Sequence, residues 1–85
     1  MPEERVGIVN DYFAHIGVAG IDLEGTLRVG DHIHIKGHTT DLEQVVESLQ
    51  IEHEQVEEAK AGDAIGIKVS DRCRGGDAVY KITPA

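Results

Sequence analysis

The sequence predicts an all-β domain, and three observations support that prediction. Valine and isoleucine occur nine times each, against four leucines. Their β-branched side chains lose rotamer freedom in helices and pack well on a pleated sheet. Ten glycines supply turn positions, and several short runs alternate apolar and polar residues with the period of two that a strand requires. We therefore expect a small closed antiparallel β-barrel of six or seven strands.

The turns are predicted by a four-residue pattern of a basic residue, any residue, glycine and aspartate. It occurs at residues 28–31, 60–63 and 74–77. Glycine tolerates a positive φ and aspartate can accept hydrogen bonds from nearby amides, so each copy predicts a tight turn that starts a strand. After the third copy, Val79 and Ile82 have opposite parity, which predicts a β-bulge or a frayed edge strand.

The N-terminal half adds three short strands, which we expect at residues 6–9, 16–21 and 26–29. Glycine interrupts the first two of them. Such strands suit a tight barrel, where backbones approach closely and the sheet must bend.

Residues 40–60 fit both a helix and a strand. Their apolar residues recur at helical spacing, and Thr40 with Glu43 matches a capping box. As a strand, the segment places Leu49 and Ile51 on one face, although a glutamate interrupts the alternation. On local patterns alone the helix over residues 42–58 is favoured.

The length limits what the chain can do. With 85 residues it is expected to form one domain over residues 1–85. A domain of this size buries roughly 60% of the surface of its unfolded chain, which leaves no room for a deep catalytic cleft. No apolar run approaches the ~20 residues of a membrane span, and the N-terminus lacks the features of a signal peptide. We predict a cytoplasmic protein without membrane contact.

The net charge of −8 is distributed unevenly along the chain. Residues 41–63 carry eight acids and one base, whereas residues 64–85 carry two acids and four bases. Because an acidic protein repels phosphate backbones, we expect no DNA binding, and we expect any RNA to approach the last third of the chain. The predicted RNA-contacting cations are Lys68, Arg72, Arg74 and Lys81.

Three histidines raise the question of a metal site. His32 and His34 occupy alternate positions of a predicted strand, with His38 nearby. Alternate histidines can share a metal, but no cysteine or carboxylate has the spacing to complete the set. We therefore predict two solvent-facing histidines and no metal or other cofactor.

The single cysteine allows no internal disulfide. Cys73 lies between Arg72 and Arg74, which predicts a surface-loop thiol with a lowered pKa. A nucleophile also needs a base and an oxyanion site, and the sequence offers neither. We therefore predict no catalytic residue and no enzymatic activity.

Three segments, in this order, resemble domain II of elongation factor Tu and initiation factor two. Residues 25–37 read as a glycine, a basic-x-Gly-acid turn and a strand that leads to a second glycine. Residues 56–67 contain an Ala-Gly-acid turn before a hydrophobic strand, and residues 74–79 match the family's closing strand. The resemblance covers about residues 6–82 and implies a translation-protein barrel. In the family the stretch matching residues 43–52 is a long strand, so the resemblance favours strand over helix there.

Alternation and the resemblance together predict the core, and the resemblance implies what the domain does. Period-two alternation, with the family's register for Leu49 and Ile51, predicts a core of Val6, Ile8, Ile33, Ile35, Leu49, Ile51, Ile65 and Ile67. The chain lacks the Gly-x-x-x-x-Gly-Lys-Ser/Thr phosphate loop of a GTPase. We expect a noncatalytic binding module that contacts tRNA, ribosomal RNA or a protein of the translation machinery. The sequence is also similar to the barrel of collagenase-like peptidases, so the alternative is an accessory protein-binding subunit of a peptidase-like or RNA-modifying enzyme.

The segment that joins the first two strands carries a further resemblance. In elongation factor Tu the matching residues read acid-acid-hydrophobic-Phe and border the pocket for the aminoacylated tRNA end. Asp11 and Phe13 match this pattern, and Asn10 replaces an acid. The resemblance makes Asp11 and Phe13 candidate RNA-binding residues, with Phe13 as a stacking platform. Alternatively, Phe13, the chain's one phenylalanine, plugs the end of the barrel.

Overall fold

The computed structural model describes residues 3–52 and 54–82, and all regular structure within them is β-strand. This confirms the predicted all-β class. No described residue belongs to a helix long and apolar enough to cross a membrane. The strands are β1 (Glu3–Phe13), β2 (Val18–Leu23), β3 (Leu27–Arg28), β4 (His32–Lys36), β5 (Asp41–Val45), β6 (Leu49–Ile51), β7 (Glu54–Val56), β8 (Glu58–Ala59), β9 (Ala64–Lys68) and β10 (Ala78–Ile82).

Eight strands form one antiparallel sheet in the order β5-β4-β10-β1-β2-β9-β6-β7, and β3 pairs with β8 in a second sheet. The large sheet curls, because the side chain of Gln44 on β5 reaches the chain at the end of β9. Its Nε2 donates to the Lys68 carbonyl at 2.8 Å, and its Oε1 accepts from the Ser70 amide at 2.9 Å. The backbone ladder of the described residues is open between β5 and β7, so closure into a barrel stays a prediction.

All three predicted turns form, and they share one geometry. In each, the aspartate carboxylate accepts a hydrogen bond from the amide of the basic residue three positions earlier, at 2.7–2.9 Å. The aspartate amide in turn donates to the carbonyl of that basic residue. The glycines have φ values of 94–97°, which side chains rarely tolerate. The side chain therefore reinforces a turn that the glycine makes accessible.

Residues 40–60 form strands, so the strand interpretation is confirmed over the helical one. The expected single strand at residues 43–52 is wrong, because β5 ends at Val45 and β6 begins at Leu49. Between them, the Val46 amide donates to the Asp31 carbonyl at 2.8 Å. Glu52 then adopts a positive φ of 51° at the β6–β7 hairpin. Several short strands, each paired differently, thus replace one long strand.

The core contains six of the eight predicted residues: Val6, Ile33, Ile35, Leu49, Ile65 and Ile67. Ile8 and Ile51 are half-buried, and only Ile51 packs against the core. Ile8 was expected inside with Val6, but the register of β1 against β10 shifts between Arg5 and Gly7. This bulge reverses the alternation, so that Val6 and Val9 point inward.

β10 itself alternates regularly, because its pairing with β4 has no shift. Val79 pairs with Ile35 and belongs to the core cluster, whereas Ile82 is buried outside that cluster, and the predicted bulge lies on β1 rather than in β10. The alternative of a frayed edge is wrong, because β10 lies between β1 and β4 with regular pairing to β4.

Candidate binding surface

A shallow groove crosses the outer face of β1, β2, β9 and β6. Its floor is Gly20 on β2 and Gly66 on β9, which are cross-strand partners. Neither residue has a side chain: Asn10 Oδ1 occupies the space above Gly20, whereas a Cβ built on Gly66 would meet only Val18 Cγ1, at 3.4 Å. We call it the Phe13 groove. It encloses about 400 Å³ and is lined by Asn10, Phe13, Ile16, Val18, Gly20, Gln50, Glu52, Ala64, Ile65 and Gly66.

One wall of the Phe13 groove is apolar and exposed. Phe13 ends β1 with 41% of its surface exposed, and Ile16 in the following turn is 56% exposed. The turn is fixed because the amides of Ile16 and Gly17 both donate to the Phe13 carbonyl, at 3.2 and 2.8 Å. Large apolar side chains held open in this way are typical of binding sites.

Phe13 does not plug the end of the sheet, so that interpretation is wrong. A second register shift in β1, between Val9 and Asp11, places Asp11 and Phe13 on the outer face. Tyr12 lies between them, faces inward and packs against the core. The tyrosine thus fills the space that the phenylalanine was expected to fill.

The polar rim of the groove has a defined orientation at Asn10. Its Nδ2 donates to Asp22 Oδ1 at 2.9 Å. Since a carboxylate only accepts, the amide oxygen must point the other way, and a Cβ built on Gly20 would lie 2.7 Å from it. Gln50 and Glu52 line the opposite side. The rim can therefore form hydrogen bonds with the polar edge of a ligand that packs on the apolar wall.

The structure brings five of the six predicted RNA-contacting residues to this end of the molecule. Asp11 pairs with Gly20 on the floor, and Phe13, Val18 and Lys68 form one cross-strand row. Arg72 and Arg74 are exposed in the β9–β10 loop. The ends of that loop are bonded to the β1–β2 hairpin, through Val69 N to Gly17 O and Gly76 N to Val9 O. Lys68, Arg72 and Arg74 are thus exposed at the end of the sheet at which Phe13 lies.

Lys81 lies elsewhere. It pairs with Glu4 at the opposite end of β1 from Phe13, a separation of about 30 Å along an extended strand. Its Nζ donates to the Thr26 carbonyl at 3.2 Å. The charge count alone suggests a single patch of C-terminal cations, but Lys81 is separate from the other three.

His34 is not solvent-facing, and that expectation is wrong. Its side chain is 12% exposed and lies between two carboxylates, with Nδ1 2.8 Å from Glu3 Oε2 and Nε2 bonded to Asp41 Oδ1. Glu3 also accepts from Lys36 Nζ at 2.9 Å, and Lys36 lies over the Tyr80 ring. His32 does face solvent. Within residues 3–52 and 54–82, no group of three or more His, Cys, Asp or Glu side chains could hold a metal ion.

Cys73 is buried, which corrects the predicted surface thiol. It is 3% exposed and belongs to the core, while Arg72 and Arg74 on either side point outward. Burial, together with the charge of Asp77, raises the pKa of the thiol to about 11. Because the flanking arginines stay in water, they do not stabilise the thiolate.

We expect Cys73 to be almost unreactive in the folded protein. At pH 8 a pKa of about 11 leaves the thiol about 100-fold less ionised than its ordinary value of 9.0 would. The rate of reaction with Ellman's reagent should therefore be about 100-fold below that of the same protein in urea. A folded-state rate equal to the urea rate would contradict this.

Sequence patterns alone do not predict most of the residues that line the groove. Ile16 and Val18 looked like strand residues, and Gln50 and Glu52 carried no recognisable signal. The glycine floor becomes visible only when the register of β2 against β9 is known. The one indication in the sequence is that Gly20 and Gly66 each lie between two apolar residues of a predicted strand.

Comparison with known proteins places this geometry in a family. The model of elongation factor Tu domain 2 matches residues 18–72, about two thirds of the chain. The chain belongs to the elongation factor Tu domain 2 family. The predicted resemblance to domain II of translation factors is thereby confirmed.

This domain 2 family member also has relatives named as peptidases. It is 43% identical over 77 residues to an uncharacterized protease of Methanocaldococcus jannaschii, across 89% of the chain and 19% of that protein. It is 40% identical over 72 residues to a collagenase of Porphyromonas gingivalis, across 82% and 20%. The chain thus spans about a fifth of the length of these relatives.

Solved structures share the fold of this domain 2 family member. The C-terminal domain of a candidate U32 peptidase from Geobacillus thermoleovorans has a TM-score of 0.88 at 22% identity, covering 94% of this chain and 93% of that one. GDP-bound aIF5B from Aeropyrum pernix has a TM-score of 0.65 at 18% identity, covering 94% and 15%. The same fold thus occurs in a translation factor and in a peptidase-like protein.

Proposed function

We propose that this protein is a noncatalytic, cytoplasmic binding module whose Phe13 groove holds an unstacked base of an RNA. The observation that carries the proposal is the exposed Phe13–Ile16 wall beside the Gly20–Gly66 pair. A base stacked on Phe13 would place its polar edge beside the amides of Asn10 and Gln50. The candidate ligands are the unpaired end of a tRNA and a loop of ribosomal RNA.

The cations beside the groove support a single-stranded ligand. Lys68, Arg72 and Arg74 could each meet one phosphate, and arginine binds phosphate bidentately. The acidic residues 41–63 include Glu52 on the groove rim and Glu47 in one cavity with Lys68, and they would repel a longer duplex. The sequence resemblance at Asp11 and Phe13, which precede the residues 18–72 matched by the domain 2 family, supports the same assignment, because the resembling segment of elongation factor Tu borders its tRNA-end pocket.

We expect Phe13→Ala to weaken RNA binding about 10-fold, because a base stacked on an aromatic ring contributes ~1–3 kcal/mol. The measurement is fluorescence anisotropy with a labelled tRNA acceptor stem that carries its unpaired 3′ nucleotides. A blunt stem should bind more weakly. Val29→Ala is the matched control, since Val29 is an equally exposed apolar residue (42%) that does not line the Phe13 groove.

The cations are tested in the same assay. Arg72→Ala with Arg74→Ala should weaken binding more than Lys36→Ala or Lys81→Ala. With three phosphate contacts, log K should fall with log salt with a slope of about −2. If the wild type shows no saturable binding at low salt, the RNA assignment is wrong. If the arginine variant binds as well as the wild type, the phosphate path lies elsewhere.

A second function, an accessory module of a peptidase-like or RNA-modifying enzyme, is supported by a specific observation. The relatives named protease and collagenase contain the matched region as about a fifth of their length. A module joined to a larger enzyme could present RNA to it or bind it through an exposed face. Pull-down from the native extract separates these cases: tRNA or ribosomes support the first function, and a single enzyme supports the second.

A further inference from the structure

A second cavity lies on the acidic part of the molecule. We call it the Val29 pocket; it encloses about 300 Å³ and is lined by Val29, Glu47, Ser48, Leu49, Gln55, Val56 and Glu57. Backbone hydrogen bonds fix its walls. The Val29 amide donates to the Glu57 carbonyl and the Gly30 amide to the Val46 carbonyl, both at 2.9 Å. The pocket is therefore formed before any ligand arrives.

The floor of the Val29 pocket is aliphatic. Val29 is 42% exposed because it is the second residue of the turn at 28–31, whose geometry turns it away from the core. Val56 is half-buried beside it, and Leu49, 1% exposed, closes the bottom. This surface can accept the methylene groups of a long side chain.

The rim of the pocket carries two exposed carboxylates, Glu47 and Glu57. Within the described ranges neither forms an ion pair, whereas their neighbour Glu58 is bound to Arg28 at 3.4 Å. The surrounding residues 41–63 have a net charge of −7. An aliphatic floor below two carboxylates is complementary to a lysine or arginine side chain, whose stem packs on apolar atoms while its charge stays at the rim.

The neighbouring strand offers the backbone of such a ligand a place to bind. In the described residues β7 pairs only with β6, so its other edge is available to an extended chain. An extended peptide can add to such an edge through main-chain hydrogen bonds. A second copy of this protein does not fit, because Glu54 and Glu57 would meet like charges. An RNA does not fit either, because its phosphates would be repelled.

We propose that the Val29 pocket binds an arginine or lysine side chain of a basic, extended segment of a partner protein, laid along β7. This goes beyond the proposed function, because it gives the module a protein-binding face separate from the Phe13 groove. The module could then hold RNA on one face and a partner protein on the other.

The test is a titration of the ¹⁵N-labelled protein with the peptide acetyl-Val-Arg-Val-Arg-Val-amide, followed by amide chemical shifts. The control peptide replaces both arginines with glutamine. We expect saturable shifts at Val29, Leu49 and β7, and none with the control peptide. Glu47→Gln with Glu57→Gln should weaken binding about 10-fold, as expected for loss of two charge-assisted contacts.

A matched charge control separates the pocket from general attraction. Glu4→Gln with Glu43→Gln makes the same change in net charge at exposed sites on β1 and β5 and should leave binding within about twofold. Val29→Ser should weaken binding without any change of charge. Equal loss in both double variants, shifts confined to the Phe13 groove, or no saturable shifts would each overturn the proposal. RNA affinity, measured separately by anisotropy, should not fall with Glu47→Gln and Glu57→Gln, because removing carboxylates does not weaken the attraction of the protein for phosphate.

Discussion

Replacing Gly37 with alanine is expected to lower the free energy of unfolding by about 3 kcal/mol. A Cβ on Gly37 would lie 2.5 Å from Asp77 Cγ and would overlap its Oδ1. Asp77 is 6% exposed, and its other oxygen accepts the Arg74 amide at 2.7 Å in the third turn. The added methyl group must therefore displace a buried carboxylate, which combines overpacking (~1–3 kcal/mol) with loss of a buried hydrogen bond (~1–3 kcal/mol).

Urea unfolding measures this effect, and the chain contains a matched control. A Cβ on Gly25 would have its nearest neighbour, Val6 Cγ1, at an ordinary 3.5 Å, so Gly25→Ala should change the stability by less than about 0.5 kcal/mol. Gly37→Ala combined with Asp77→Ala should cost less than the sum of the two single variants, since both disturb one contact. Similar losses for Gly37→Ala and Gly25→Ala, or strict additivity, would show that the contact with Asp77 does not determine the cost.

The three turns could be predicted in detail because their information is local. Glycine at the third position and aspartate at the fourth specify both the backbone conformation and the bond that reinforces it. The core positions after these turns, such as Ile33 and Ile65, follow from simple alternation. The turn prediction succeeds because the sequence pattern and the hydrogen bonds that it specifies both lie within four consecutive residues.

The errors arise where pairing with a strand distant in sequence decides which face of the sheet a side chain occupies. Two register shifts in β1 reverse the alternation, which exposes Ile8 partly and turns Phe13 outward. Neither shift has a sequence signal, because each depends on the partner strand. The groove floor likewise exists only through the pairing of Gly20 with Gly66. The arginines on either side of Cys73 predict an exposed thiol, yet the β9–β10 loop buries Val69, Cys73 and Asp77 and exposes the residues between them.

The same limit applies to His34, whose partners lie 31 and 7 residues away in sequence. Both ring nitrogens face carboxylates, and both can donate only when the imidazole is protonated. Burial of the ring and the charge of Lys36 lower the pKa of His34, but hydrogen bonds to Glu3 and Asp41 raise it by more, to above its ordinary value of 6.5. The His34 and Lys36 bonds lower the pKa of Glu3 from its ordinary value of 4.5.

These shifts predict that the protein is most stable in mildly acidic solution, between about pH 5 and 6.5. The contribution of His34 is fully present below pH 6.5 and is lost as the pH rises through its raised folded-state pKa. The contribution of Glu3 is present above pH 4.5 and is lost as the pH falls through its lowered pKa. Deprotonation of His34 removes one charge-assisted hydrogen bond. We therefore expect the free energy of unfolding to fall by about 1–2 kcal/mol as the pH rises above the pKa of His34.

Urea unfolding at a series of pH values tests this, with the His34 imidazole titration followed by NMR. His34→Gln should abolish the decline above pH 6.5 and should cost about 2 kcal/mol at pH 6, because it removes the charge from between two carboxylates. His32→Gln is the matched control: His32 lies on the same strand, is exposed and has one carboxylate, Glu43, at 3.5 Å. It should leave the pH profile unchanged. A His34 midpoint below 6.5, or an alkaline decline that survives His34→Gln, would show that the imidazole does not hold β1 and β5 against β4 through its charge.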